Sequence, residues 1–164
     1  MKQQHCRTCG LTLGKYAPFH TGHQLVIETA LQEVDQLIVL VYDSPNVTNI
    51  PLPVRARWIE TIYPQLQVVE AWDGPQEVGY TAEIKRQHEE YVLNLIGDVQ
   101  ITHFYSSEPY GTHMSQALNA INRIVDIDRK TEPISATKIR NNLDRYRSFV
   151  HPIVYADLIA YDTN

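Results

Sequence analysis

The apolar positions of the chain change period repeatedly, and each change marks an element. Cys9–Leu13 (CGLTL) is a short apolar run closed by Gly14, which suits a buried strand. Ile27, Ala30, Leu31 and Val34 then fall at i, i+3, i+4 and i+7, one face of a helix. Gln36–Tyr42 (QLIVLVY) has no alternation, as expected of a strand covered on both faces. Asp43–Pro53 carries serine, asparagines and three prolines and reads as a loop. Val54–Tyr63 reads as a helix stopped by Pro64, and Leu66–Ala71 as a third strand. After a loop over Asp73–Tyr80, Thr81–Ile96 has the pattern of a helix with a charged outer face. Gln100–Tyr105 predicts a fourth strand, Pro109–Asn122 a helix and Arg123–Ile127 a short fifth strand. From Ser135 the chain reads as helical pieces, the last opening at Pro152.

Strands alternating with helices at this spacing imply βαβ units. The expected fold is α/β: a Rossmann-like, doubly wound sheet of five parallel strands with helices on both faces. Ligands of such sheets sit at the carboxyl ends of the strands, where the strand order reverses. With 164 residues and no linker or repeat, residues 1–164 read as one domain, residues 1–8 being a flexible N-terminal segment.

Composition narrows the function classes. The net charge is −5, and neither half of the chain is basic, which argues against binding nucleic acid or an anionic membrane by bulk charge. No apolar run approaches the ~20 residues of a membrane span, and the first ten residues lack the apolar stretch of a secretory signal. Two cysteines make no disulfide scaffold. A cytoplasmic protein is the expectation.

Two stretches carry candidate chemistry. Gly14–His23 (GKYAPFHTGH) joins the first strand to the first helix, where free N–H groups favour an anion. It lacks the spacing of a P-loop and of the GxGxxG fingerprint. His20 and His23, three apart, can face one side of an opening helical turn, and Gly22 leaves room beside them. Such a pair could bind an oxyanion or a metal, or be two ordinary surface histidines. No nearby residue completes a metal site, and Lys15 favours an anion. The second stretch, Ile134–Arg140 (ISATKIR), offers Ser135 and Thr137 as helix caps. Lys138 and Arg140 then stand near a helix start, against the dipole. A bound polyphosphate would resolve that conflict; a solvated basic helix face is the alternative.

Together these stretches resemble the nucleotidyltransferase superfamily: HTGH matches its HxGH signature, and ISATKIR its ISSTxxR-type signature. The chain looks most like the NadR-like nicotinamide mononucleotide (NMN) adenylyltransferases. GKYAPFHTGH, VRARW around Arg55 and Arg57, YSSEP, DIDR at Asp126–Arg129 and ISATKIR occur in family order from about Gly10 to Tyr155. The resemblance implies that ATP binds with its triphosphate between the two signatures, and that an NMN phosphate oxygen attacks its α-phosphorus. It implies catalytic roles for His20, His23, Lys15 and Arg140. Gly14, Tyr16, Gly22, Ser106, Ser107, Glu108, Ser135, Thr137 and Lys138 would bind ATP. Asp43, Ser44, Arg55, Arg57 and Trp72 would meet the acceptor. Mg²⁺ would accompany the ATP, held by phosphates and water rather than by dedicated protein ligands. The implied partners are ATP and a phosphorylated small molecule; a homo-oligomer is left open. Trp72 could stack on nicotinamide, although the family's stacking tryptophan lies further along a loop that here reads PQEVGY. A CTP-using cytidylyltransferase and a non-catalytic nucleotide sensor are the competing readings.

Other features read as structural. Cys6 and Cys9 with His5 supply at most half of a zinc site. Asp126 and Asp128 suit a strand-end loop better than a metal pair, and His103 and His113 show no partner pattern.

Overall fold

A computed structural model describes residues 7–108 and 111–162. His5, Cys6 and most of the expected flexible N-terminus lie outside the described residues. Thr8 is anchored, its N–H donating to Asp35 Oδ2 at 2.9 Å. Cys9 is a buried strand residue, as expected.

Five strands form one sheet: β1 (Cys9–Gly14), β2 (Gln36–Tyr42), β3 (Gln67–Ala71), β4 (His103–Ser106) and β5 (Ile121–Ile124). Their order is β3-β2-β1-β4-β5, with every pair parallel. The unbroken apolar run of β2 has a direct cause. Leu37, Val39 and Val41 enter a core with Ile27 and Ala30 of α1 (Thr21–Glu33) and Trp58 and Ile59 of α2 (Leu52–Ile62). Ile38, Leu40 and Tyr42 enter the opposite core, with Val92 of α3 (Ala82–Ile96) and Met114 and Leu118 of α4 (Gly111–Leu118). Both faces are covered, so period-two alternation has nothing to separate.

Boundaries shift where turn chemistry acts. Helix α2 opens at Leu52 rather than Val54, because Pro51 and Pro53 sit where no intrahelical N–H is required. Helix α4 ends at Leu118 rather than Asn122: Asn119 takes a left-handed φ of 54° that stops it. Strand β5 therefore runs earlier than expected and gives way to a turn at Asp126, φ 53°. The Asp126 carboxylate accepts N–H bonds from Lys130, Thr131 and Glu132, each at 2.9 Å, which makes it a turn former rather than half of a metal pair. That turn leads to α5 (Ala136–Asn141), α6 (Leu143–Tyr146), a 3-10 turn (Arg147–Phe149) and α7 (Pro152–Asp162).

β1 lies between β2 and β4, and the chain crosses over from β3 to β4, so the loops leaving β1 and β4 turn to opposite faces. The gap between them is the expected ligand site. No described helix is long and apolar enough to cross a membrane.

Candidate active site

A cavity of about 460 Å³ opens at these strand ends. The β1–α1 loop supplies one wall, with Gly14, Lys15, Tyr16, His20 and His23. A Cβ at Gly14 would come 3.1 Å from the Tyr16 ring, which turns back over the strand end.

His20 is the N-cap of α1 and only 3% exposed. Its Nδ1 accepts the N–H groups of Gly22 (3.0 Å) and His23 (3.4 Å). His23 replies: its Nδ1 accepts the His20 N–H at 3.2 Å. Both Nδ1 lone pairs are thus occupied, so each neutral ring carries its proton on Nε2. The rings stack with centroids 3.7 Å apart. Gly22 makes this possible, since a Cβ there would fall 2.8 Å from His20 Cε1. The room beside Gly22 belongs to the His20 ring itself, and Gly22 is not on the cavity wall. Burial, then the Arg129 cation, push the His20 pKa down to about 3. His23 is also held well below the usual imidazole range, by burial, then by His20 and Arg129. At neutral pH both histidines are therefore uncharged Nε2–H donors.

The facing wall comes from α5 and the segment before it. Ser135 caps α5, its Oγ accepting the Lys138 N–H at 3.3 Å, and lines the cavity with Thr137 and Arg140. Arg140 donates to Ala17 O at 2.6 Å and Thr137 Oγ1 at 3.3 Å, tying this wall to the histidine loop. Burial, then the nearby Arg140, lower the Lys15 pKa. The expected conflict with the helix dipole is removed for Arg140. Helix α5 has only six residues, so Arg140 stands in its last turn, where cations are favoured, while Lys138, third after the Ser135 cap, belongs to both end turns. Lys138 is off the cavity wall.

Ser106 ends β4, Ser107 and Glu108 follow it, and all three line the cavity. Of the residues read as acceptor contacts, Ser44 lines it and the others do not. Asp43 uses its backbone, N–H to Ala71 O and carbonyl from Gln76 Nε2. Arg55 is 1% exposed, and its guanidinium donates to the carbonyls of Ile50 (3.0 Å), Lys15 (2.6 Å) and Tyr42 (2.8 Å). It joins the loops after β1 and β2 instead of facing a ligand. Arg57 points to solvent from α2. Trp72 is 48% exposed and bonds Glu70 through Nε1 at 3.1 Å, away from the cavity.

Four wall residues carry chemistry that the sequence reading passed over: Lys85, His88, His113 and Arg129. Arg129 lay in the quoted DIDR stretch, six residues before Ser135, without a role. His113 has a partner after all, Glu89 Oε1 at 2.8 Å. Lys85 and His88 are three apart on α3, a spacing indistinguishable from that of any solvated helix face. Among the described wall residues Lys15, Lys85, Arg129 and Arg140 are cations and Glu108 is the one acid. In a chain of charge −5, that local concentration of cations suits an anion.

Comparison with known proteins agrees with this geometry. A family model described as cytidylyltransferase-like matches residues 11–142. A probable nicotinate-nucleotide adenylyltransferase of Thermotoga petrophila is 25% identical over 80% of this chain and 83% of its own. A nicotinamide-nucleotide adenylyltransferase of Saccharolobus solfataricus is 49% identical over a shorter match, 24% of this chain and 25% of its own. Among solved structures, a NadR protein in complex with NAD and AMP-PNP superposes with a TM-score of 0.67 at 20% identity, over 90% of this chain and 45% of that one. A bifunctional NMN adenylyltransferase/ADP-ribose pyrophosphatase of Francisella tularensis, complexed with AMP and a manganese ion, gives 0.65 at 16% identity, over 96% and 50%. The chain thus spans about half the length of these two structural neighbours. These superpositions show a shared fold, and on the family-model match this chain belongs to the cytidylyltransferase-like family.

Proposed function

We propose that the chain is an adenylyltransferase that moves AMP from ATP onto the phosphate of NMN, giving NAD and pyrophosphate. One observation carries the reading: two neutral Nε2–H donors on one wall face Ser135, Thr137 and Arg140 on the other. A phosphate oxygen of the acceptor attacks the α-phosphorus, the bond to the β-phosphate oxygen breaks, and pyrophosphate leaves. The nucleophile is already an anion, so no proton has to be removed. What the protein supplies is position and charge. His20 and His23 donate to the α-phosphate oxygens without bringing a full charge that would hold the product. Lys15 and Arg140 hold the triphosphate, and Ser135 and Thr137 meet the β- and γ-phosphates. Ser106 and Ser107 face the nucleoside. Among the described residues no group of three or more His, Cys, Asp or Glu could hold a metal ion. A Mg²⁺ ion brought in with ATP would need no dedicated protein ligands and would supply neutralising charge for the pyrophosphate.

Nicotinate mononucleotide is the second reading for the acceptor. Lys85 lies on the cavity wall with His88 and Tyr80, and a cation there suits a carboxylate. Incubation with Mg²⁺, ATP or CTP, and NMN or nicotinate mononucleotide decides among these. NAD and pyrophosphate from ATP and NMN support the reading. The deamido product alone favours nicotinate. Turnover only with CTP makes the chain a cytidylyltransferase, and binding without turnover makes it a sensor.

A further inference from the structure

The one acid among the described residues of the cavity wall is joined to one of the four cations there. Glu108 Oε1 accepts from Arg129 Nη2 at 2.9 Å. Arg129 is anchored on its other side, Nη1 donating to Ile134 O at 2.7 Å, next to the Ser135 cap. Its backbone is left-handed, φ 52°, on the turn tied down by Asp126. The guanidinium therefore has one fixed arm on the α5 wall and one arm on a carboxylate. Both partners of the ion pair are about one-third exposed, 35% and 38% at the side chain. Such a pair contributes little by itself. A phosphate is a better partner for a guanidinium, with more charge and several acceptor oxygens.

We infer that Arg129 is a further polyphosphate-binding residue, and that Glu108 occupies its free arm until a phosphate displaces it. The carboxylate stands in for a substrate anion on a cation that shares the cavity wall with Lys15, Lys85 and Arg140. When nucleotide arrives, Nη2 exchanges Glu108 for a phosphate oxygen while Nη1 keeps its hold on Ile134 O. Glu108 is then a competitor for the nucleotide rather than a ligand to it. The inference rests on the nucleotidyltransferase reading of the cavity but not on which base or acceptor is used.

Calorimetric titration of the whole protein with inorganic tripolyphosphate, and in parallel with ATP and Mg²⁺, tests it. Glu108→Gln removes the competing charge and should tighten tripolyphosphate about three- to tenfold. Arg129→Met should weaken it by tenfold or more, with Arg129→Lys in between. In the Arg129→Met background, Glu108→Gln should have no further effect. Weakening by Glu108→Gln, or an Arg129→Met protein that binds like wild type, overturns the inference. So does a Glu108→Gln effect that persists without Arg129. A thermal melt of each variant separates lost binding from lost fold. A wild-type protein that binds neither tripolyphosphate nor nucleotide would overturn the nucleotidyltransferase reading itself, which a failure confined to these variants would leave standing.

Discussion

The loops after β1 and β3 border one cavity and are built in opposite ways. Between β1 and α1, Tyr16, Ala17, Phe19 and His20 are all buried, and the two histidines close each other's hydrogen bonds. Between β3 and α3, Val78 and Tyr80 are 74% and 73% exposed. The bonds that hold that loop include Gln76 to the Asp43 and Gly74 carbonyls and Glu77 O to the His88 ring. A fixed wall keeps dipoles aimed at a transition state without reorganisation. A loose one suits the part of the site that chooses among acceptors. On the proposed function, chemistry would fall to the buried wall and acceptor selection to the exposed one.

The largest expected effect strikes the stiff wall. His20→Asn keeps a good helix cap but removes the Nε2–H donor. Its kcat should fall about 100- to 1,000-fold, the usual loss for a preorganised donor, while a circular-dichroism melt stays close to wild type. A kcat within tenfold of wild type would remove the histidine wall from the chemistry. Arg55→Met comes next. It strands the carbonyls of Ile50, Lys15 and Tyr42 in a buried place, and urea unfolding should show a loss of about 3 kcal/mol. Arg57→Ala, two residues away and exposed, should stay within about 0.5 kcal/mol.

A smaller effect appears with pH. The folded His20 resists protonation down to about 3, whereas the unfolded chain takes up the proton near the ordinary 6.5. Stability from this source is complete above that unfolded value and declines as the pH falls toward the folded one. The limiting slope is about 1.4 kcal/mol per pH unit for each histidine. Urea titrations between pH 7 and 5 should show the decline, and His20→Asn should flatten it. A slope unchanged in that variant would mean that other groups cause it. The smallest effects belong to the loose wall. Tyr80→Ala should raise the acceptor KM by less than about tenfold and leave the ATP KM unmoved. Trp72→Ala, off the cavity, should change either by less than about twofold. Equal effects of both changes on ATP and acceptor would erase the division between the walls.

The same contrast separates what the sequence made legible from what it did not. β2 was readable because the six apolar residues in a row after Gln36 leave few alternatives to a doubly covered strand. HTGH and ISATKIR were readable because each is a contiguous motif whose cap closes within a few residues. Arg55 was misread because an arginine on an amphipathic helix looks solvated in any window, and its partners Lys15 and Tyr42 lie 40 and 13 residues away. Arg129 was passed over for a similar reason, since Glu108 is 21 residues distant. The length of α5 mattered most for charge. Six residues carry Arg140 from an apparent clash with a dipole to an ordinary helix end.

Asp126 has a consequence of another kind. Its carboxylate gathers three successive N–H groups, and the strand-to-helix passage carrying Arg129 and Ser135 hangs from that knot. The residue is neither in the core nor on the cavity wall. A saturation screen ranked by depth or by distance from substrate would score it as permissive. Its tolerance should instead follow acceptor geometry, with asparagine failing gently and alanine badly.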